Sequence, residues 1–242
     1  MLLAELFGKG REDLENDEDL LTSTVFGVLR YLPPSIFWVD FLAKARSGRG
    51  TTFLDRCGQL GVDIGGYSKV DIYPWRTCED LGEPDLVVVF SGNGITPLCF
   101  LIESKLSSGK SWKGDEDQLT RYLRILQNAR WLAKTTGIRG TMIRPGLVYL
   151  CARAAWSDIV ESIDAAPDRA AAEQALFLVQ WQDLLNAARE AGSSATYPDS
   201  QILGDVATFL EHRGLAYFRG FSEPKIPESV VSDARFYTME GD

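Results

Sequence analysis

The sequence predicts an α/β fold in which a central mixed sheet is flanked by helices. Three patterns indicate it: apolar residues at helical spacing near the amino terminus, three apolar segments separated by turn residues in the centre, and strands alternating with helices in the second half. The central segments predict an antiparallel meander, and the later strands are apolar enough to be covered on both faces. Together these strands make the predicted sheet mixed.

The amino-terminal part of the predicted fold is helical. Apolar residues recur at helical spacing and the pair Pro33 and Pro34 ends the pattern, so we predict a helix over 20–32. A second helix is predicted over 35–45. The region 48–66 is rich in glycine, which favours a loop with a short strand.

The centre of the chain predicts three strands, over 70–73, 85–90 and 96–106. The residues at 91–94 are Ser-Gly-Asn-Gly, a composition typical of a tight turn between antiparallel strands. We therefore expect these three strands to form the meander.

A long helix is predicted to follow the meander, because apolar residues recur at helical spacing over 115–136 and acids stand at its start. Strands and helices alternate after it, which extends the sheet with covered strands. The remaining predicted elements are strands over 147–152 and 175–181 and helices over 156–163, 182–191 and 202–212.

Length and composition predict one soluble domain. A chain of 242 residues with 45% hydrophobic residues can bury a substantial core. Its apolar runs are far shorter than the ~20 residues that cross a bilayer, and no signal-peptide core is present, so we expect a cytoplasmic protein without a membrane partner. The four cysteines lack paired spacing, which argues against a zinc site or a disulfide framework.

Charge is distributed unevenly along the chain. The window 104–155 holds ten basic and three acidic residues, a net charge of +7, which leaves −16 for the remainder of a chain whose formal net charge is −9. Such a window is typical either of a phosphate-facing surface or of a solvated helix face. The overall negative charge argues against a protein that coats nucleic acid by bulk electrostatics.

Two acids and a lysine are predicted to meet at the end of the central hairpin. Asp85 opens one strand and Glu103 lies near the end of the next, so the hairpin brings the two carboxylates together. Side chains alternate along a strand, so Glu103 and Lys105 share a face and Ser104 faces away. Charged groups among apolar neighbours cost stability unless they are paired or bind an ion. Two interpretations stay open: a salt bridge between Glu103 and Lys105, or a functional site.

Four short motifs occur in order along the predicted elements: an acid at the start of the first helix, an Asp, a Glu-x-Lys and a Gln-x-x-x-Tyr. Their residues are Glu18, Asp85, Glu103 with Lys105, and Gln118 with Tyr122. This set resembles the PD-(D/E)xK nuclease superfamily. The resemblance implies a restriction-endonuclease-like core over about 18–152, with 156–222 as a family-specific extension of one domain over 1–222. The last residues, 223–242, are expected to be loosely held.

The resemblance also implies a metal centre. Asp85 and Glu103 would ligate Mg²⁺ or Mn²⁺ together with the Ser104 carbonyl, and Glu18 would add a carboxylate. Lys105 would orient or deprotonate the attacking water and stabilise negative charge in the transition state. The alternative for Glu18 is that it only complements the helix dipole, and its acidic neighbour could face the metal in its place.

The helix after the meander supplies the remaining candidates. Gln118 and Tyr122 lie one turn apart on one face. The resemblance directs this face toward the site, where Gln118 would hold a water or a phosphate and Tyr122 would support Lys105 or the nucleic-acid backbone. The alternative makes Tyr122 a core aromatic and Gln118 a surface residue. The candidates for phosphate contacts are basic residues on and before this helix: Lys110, Lys113, Arg121 and Arg124.

These inferences predict a metal-dependent nuclease that hydrolyses phosphodiester bonds of nucleic acid, with DNA as the expected substrate and defence or repair as the expected setting. The main alternative is a catalytically inactive nuclease-fold module that binds DNA or a protein partner. A further alternative is an unrelated α/β enzyme for a small molecule. The sequence is also compatible with a homodimer. His212 is the sole histidine, which argues against a Ser-His-Asp hydrolase.

Overall fold

A six-stranded sheet lies at the centre of the molecule in a computed structural model, which describes residues 18–106, 109–113 and 116–216. Its strands are β1 (Arg46–Ser47), β2 (Lys69–Pro74), β3 (Leu86–Gly92), β4 (Ile95–Lys105), β7 (Leu147–Cys151) and β8 (Leu176–Gln180). Two further strands, β5 (Trp112–Lys113) and β6 (Glu116–Asp117), form a separate antiparallel ribbon.

The sheet is mixed, with the strand order β1-β8-β7-β4-β3-β2. Strands β2, β3 and β4 form an antiparallel meander, strands β4, β7 and β8 run parallel, and β1 is antiparallel to β8. The predicted mixed sheet with an antiparallel meander is therefore confirmed. Because β4, β7 and β8 are parallel, their carboxyl ends lie at one edge of the sheet, and β3 begins at that same edge.

Helices cover both faces of the sheet, as predicted. One face packs against α1 (Glu18–Leu29), α2 (Trp38–Lys44), α3 (Phe53–Gln59), α8 (Trp181–Ser194) and α9 (Asp199–His212). The other face packs against α4 (Gln118–Gln127), α5 (Ala129–Thr136), α6 (Trp156–Ala165) and α7 (Arg169–Ala175). A 3-10 turn at Ile64–Gly66 precedes β2.

Each helical layer encloses its own apolar core, because side chains alternate along the strands. Val88 and Phe90 enter the core under α1 and α2, whereas Val87 and Val89 enter the core under α4. All four are fully buried. Strand β3 is thus covered on both sides, which explains why its sequence is continuously apolar rather than alternating.

Two predicted elements are wrong in detail. The helix predicted over 115–136 is two helices, because the Asn128 side chain accepts a hydrogen bond from the Trp131 N–H and starts a new helix there. The glycine-rich region 48–66 contains helix α3, which begins with a capping box between Thr52 and Asp55. The other predicted strands and helices are confirmed to within a few residues at their ends.

Some predictions concern residues beyond those described. The tail 223–242 and the end of the predicted domain, 217–222, lie outside the described residues, as does the segment before Glu18. No helix within the described ranges is both long enough and apolar enough to span a membrane.

Candidate active site

The hairpin of β3 and β4 brings the predicted acids together at the edge where β4, β7 and β8 end. Asp85 immediately precedes β3, and Glu103 and Lys105 close β4. Leu86 pairs with Ile102 in this hairpin, so Asp85 lies opposite Glu103. The Asp85 N–H points at Glu103 Oε2, at a distance of 3.4 Å.

The carboxylate of Asp85 is held by Ser104. Asp85 Oδ2 accepts hydrogen bonds from the Ser104 N–H at 2.8 Å and from Ser104 Oγ at 3.0 Å. Ser104 Oγ also lies 2.5 Å from the hydroxyl oxygen of Thr22 on α1. The Ser104 side chain faces away from Glu103 and Lys105, as strand alternation predicts, and there it connects Asp85 to α1.

Glu103 is the most deeply buried ionisable group of the site, with 1% of its surface exposed. Its Oε1 accepts hydrogen bonds from Lys105 Nζ at 2.8 Å and from Gln118 Nε2 at 2.6 Å. Burial, and then the negative charge of Asp85, raise the pKa of Glu103 well above its ordinary value. Burial is also the main cause that raises the pKa of Asp85, from 3.8 to about 6.

Lys105 links Glu103 to Glu18. Its Nζ lies 2.8 Å from Glu103 Oε1 and 2.9 Å from Glu18 Oε1. The other oxygen of Glu18 accepts the Leu106 N–H at 2.9 Å, so Glu18 holds both the side chain and the following backbone of this lysine. Burial lowers the pKa of Lys105, but the carboxylates of Glu103, Asp85 and Glu18 outweigh it and the pKa is raised.

Helix α4 directs an amide at Glu103. The side-chain Oε1 of Gln118 accepts a hydrogen bond from the Ser111 N–H at 3.1 Å. The NH₂ group of the same side chain therefore faces Glu103 Oε1 and the Tyr122 hydroxyl. The Tyr122 hydroxyl donates to the Glu83 carbonyl at 2.7 Å, just before Asp85. Tyr122 is also part of the apolar core beneath α4, so the core interpretation and the site interpretation both apply to it.

The donor groups of this site suit a hard divalent cation. Asp85 and Glu103 supply carboxylate oxygens, and N–H and C=O of one strand residue point to the same side, so the Ser104 carbonyl faces the Asp85 side of β4. One or two carboxylates with backbone oxygen and water are what Mg²⁺ ordinarily uses. Glu18 is engaged by Lys105 instead, and no cluster of three or more His, Cys, Asp or Glu suited to a metal occurs among the described residues.

Two of the predicted phosphate-contacting residues are directed into the protein. The Lys110 side chain is 3% exposed, and its Nζ contacts Ser162 Oγ and the Asp158 carbonyl, each at 3.0 Å, and Glu161 at 3.3 Å. This ammonium thus attaches the chain before α4 to α6, and the contact of Lys110 with nucleic acid stays a prediction.

Arg121 is likewise buried, and its guanidinium donates to the Leu81 carbonyl at 3.3 Å. Arg124 remains exposed, although it is paired with Glu116 at 2.8 Å. The side chain of Lys113 lies outside the described residues. The surface available to a phosphate is thus smaller than the +7 window of the sequence suggests.

A cavity of about 260 Å³ adjoins the site on the far side of β4 from Asp85. Lys105 lines it together with Tyr149 and Cys151 from β7 and Arg153 from the following loop. Sequence analysis missed this cavity, because the cavity is created by the parallel pairing of β4 with β7. The one sequence signal that could have indicated it is Arg153, a basic residue directly after a predicted strand.

The chain was compared with protein-family models, with curated proteins and with solved structures, and none of them matches it. The chemistry of the site is therefore interpreted from its own residues.

Proposed function

We propose that this chain is a metal-dependent nuclease that hydrolyses phosphodiester bonds of nucleic acid, with Asp85, Glu103 and Lys105 at its active centre. The observation that carries the proposal is the meeting of two buried carboxylates beside one partly buried ammonium at the end of the sheet. Burial opposes the ionisation of both acids, and a nearby carboxylate adds to it, Asp85 for Glu103 and Glu18 for Asp85. A divalent cation relieves both effects, so the arrangement is costly without an ion and favourable with one.

The proposed ligands are the carboxylates of Asp85 and Glu103 and the carbonyl of Ser104. When bound, Mg²⁺ or Mn²⁺ supplies Lewis acidity toward a phosphate oxygen and makes a coordinated water more acidic. Glu18 acts one step away from the ion, since it holds Lys105 and the Leu106 N–H. Gln118 fixes the orientation of Glu103 through the bond to Oε1.

Lys105 stabilises negative charge in the proposed reaction. Its raised pKa keeps the side chain as an ammonium at neutral pH, so it does not act as a base in this arrangement. An ammonium held between two carboxylates is fixed in position and can stabilise negative charge that develops on a phosphate in the transition state.

The order of elements supports a restriction-endonuclease-like core within the α/β fold. The chain forms, in order, helix α1, the meander of β2, β3 and β4, helix α4 and the parallel strand β7. The first two motifs lie at the start of α1 and just before β3, the third lies at the end of β4, and the fourth lies at the start of α4. The resemblance to the PD-(D/E)xK superfamily expects this order. DNA is the proposed substrate, and defence or repair is the proposed setting.

One observation favours a second candidate, an inactive module of the same fold that binds a protein partner. Two of four candidate phosphate-contacting residues, Lys110 and Arg121, are buried in contacts within the chain. With a net charge of −9, such a protein would gain less from nucleic-acid phosphates than a basic one.

A cleavage assay separates the two candidates. Wild type is incubated with plasmid, linear duplex and single-stranded DNA and with RNA, in Mg²⁺, in Mn²⁺ and in chelator, beside Asp85→Asn and Lys105→Ala. The matched controls are Asp71→Asn and Lys69→Ala, which change the same residue types in a partly exposed ion pair on β2.

We expect wild type to cleave nucleic acid in the presence of the metal. Cleavage should fall by about 10³-fold or more in both site variants, the scale of a lost electrostatic contact at a reacting phosphate. Both controls should retain wild-type cleavage. Equal cleavage by the site variants and the controls, or no cleavage by wild type on any substrate, contradicts the proposal and favours the inactive module.

A further inference from the structure

The cavity beside Lys105 lies at the carboxyl ends of two parallel strands, β4 and β7. Crevices outside the carboxyl ends of strands are where open α/β sheets bind ligands. Asp85 lies on the β3 side of β4 and the cavity lies on its β7 side, and neighbouring strands are ~4.8 Å apart. The cavity is therefore about two strand spacings from Asp85, with Lys105 between them.

The cavity is lined by both apolar and polar side chains. Tyr149 and Cys151 are buried, and Ala155 adds a small apolar side chain to the lining. The volume of about 260 Å³ is below the roughly 300–1,000 Å³ of pockets for drug-sized ligands. It suits a single ring system rather than a longer molecule.

Two charged side chains that line the cavity can still form hydrogen bonds with a ligand. Arg153 is exposed at the opening, and it makes no hydrogen bond or ion pair with any described part of the chain. Asp158 uses Oδ2 to accept the Tyr149 hydroxyl at 3.0 Å, while its Oδ1 accepts nothing from the described residues. A guanidinium matches the geometry of a phosphate, and a carboxylate accepts hydrogen bonds from the N–H groups of a nucleobase.

A ligand that combines an anion, a flat ring and N–H donors is a nucleotide. We propose that this cavity binds one unpaired nucleotide of the substrate strand, adjacent to the phosphate that the centre cleaves; this inference rests on the proposed nuclease function. A base inside a duplex stays stacked and paired, and extracting it costs a few kcal/mol. The substrate class is therefore single-stranded or locally opened nucleic acid.

Binding is measured on the full chain, in Ca²⁺ so that the strand is not cut, with a fluorescent single-stranded oligonucleotide and with the same sequence as a duplex. Arg153→Gln removes the guanidinium, and Ala155→Leu fills the cavity without changing charge. Arg139→Gln is the matched control, because Arg139 is also exposed and also has no partner among the described residues. Melting temperatures verify that each variant is folded.

Wild type is expected to bind the single strand at least about tenfold more tightly than the duplex, given the cost of unpairing. Arg153→Gln should weaken binding to the single strand by roughly tenfold or more, as for a lost hydrogen bond to a charged group, and Ala155→Leu should remove the preference for the single strand. Arg139→Gln should change neither quantity by more than about twofold.

Equal affinity for the two forms, or equal effects of Arg153→Gln and Arg139→Gln, overturns the nucleotide site even if the protein cleaves DNA. Binding as predicted by a protein that cuts no substrate in Mg²⁺ or Mn²⁺ supports the site and contradicts the nuclease. Absence of binding to either form contradicts both.

Discussion

The two carboxylates at the end of the hairpin are placed where burial and mutual repulsion oppose their ionisation. The pKa of Asp85 is raised from 3.8 to about 6. An acid whose pKa is raised on folding stabilises the fold while it is protonated, below about pH 4, and this stabilisation is lost as the pH rises through about 6. At neutral pH the metal-free protein therefore carries an unfavourable charge at Asp85.

Asp85→Asn should accordingly stabilise the metal-free protein. The amide oxygen keeps the two hydrogen bonds from Ser104, and the charge is removed. In chelator at neutral pH we expect the melting temperature to rise by roughly 2–4 °C for each kcal/mol gained. The control Asp71→Asn, in a partly exposed ion pair, should leave the melting temperature nearly unchanged. A lower melting temperature for Asp85→Asn would show that burial does not oppose this charge.

The hydroxyls of Thr22 and Ser104 are positioning groups that sequence reasoning missed. They form a chain from α1 to Asp85, and no spacing in the sequence relates residues 82 positions apart.

Ser104→Ala and Thr22→Val should each weaken Mn²⁺ binding about 10–100-fold, the range seen when an outer partner of a metal ligand is lost. Ser23→Ala is the matched control, since its hydroxyl bonds the Leu20 carbonyl. Calorimetry in which Ser104→Ala binds Mn²⁺ like Ser23→Ala would rule this role out.

At the scale of elements, the segment between β4 and α4 is attached to α6 by Lys110. Its Nζ contacts Ser162, Glu161 and the Asp158 carbonyl, and it lies 3.8 Å from buried Asp117, the N-cap of α4. The sequence predicts a phosphate contact for this lysine and does not indicate these partners, because Asp158 and Ser162 lie 48 and 52 positions later.

Lys110→Met should therefore reduce stability rather than nucleic-acid affinity. Removing one partner of a buried ionic group is expected to cost at least about 2 kcal/mol in the free energy of unfolding, measured by urea denaturation. Lys69→Met, which breaks an exposed pair, should cost less than about 1 kcal/mol. Similar losses for the two variants would contradict the buried attachment of the segment.

Elements with strong periodicity could be predicted from the sequence, and those defined by caps could not. The pattern of apolar residues in α1, β3 and β4 was sufficient to predict these elements. The break at Asn128 and the start of α3 at Thr52 depend on single side chains that cap a helix. The spacing of the surrounding apolar residues does not indicate either position. The short α7 and β1 carry too few residues for any period to be detected.

At the scale of the whole molecule, the parallel half of the sheet depends on one close backbone approach. Gly146 immediately precedes β7, and a Cβ at this position would lie within 3 Å of the backbone of Ala175, which precedes β8. Neighbouring parallel strands bring these two backbones together, and only glycine leaves room for it.

Gly146→Ala should consequently destabilise the protein by about 1–3 kcal/mol or more, as expected for overpacking against backbone that cannot move aside. Gly140→Ala is the control, because a Cβ there meets nothing within 4 Å. Equal unfolding midpoints in denaturant for the two variants would contradict the close approach of the backbones at the start of β7 and β8.

The site was predictable in its hairpin part and not in its parallel part. Asp85, Glu103 and Lys105 are brought together by a short turn, a local feature of the sequence. The partners of Lys110 and Arg121 and the cavity lined by Arg153 depend on contacts between distant segments, which a single sequence does not reveal. This is why the sequence did not indicate that Lys110 and Arg121 are directed into the protein.

The proposal that Asp85 and Glu103 hold a divalent ion is tested most directly by a calorimetric titration of Mn²⁺, which requires no known substrate. Wild type should bind one ion, Asp85→Asn should lose that binding, and Asp71→Asn should bind like wild type. Absence of Mn²⁺ binding by wild type, or unchanged binding by Asp85→Asn, would contradict the metal centre and with it the proposed nuclease.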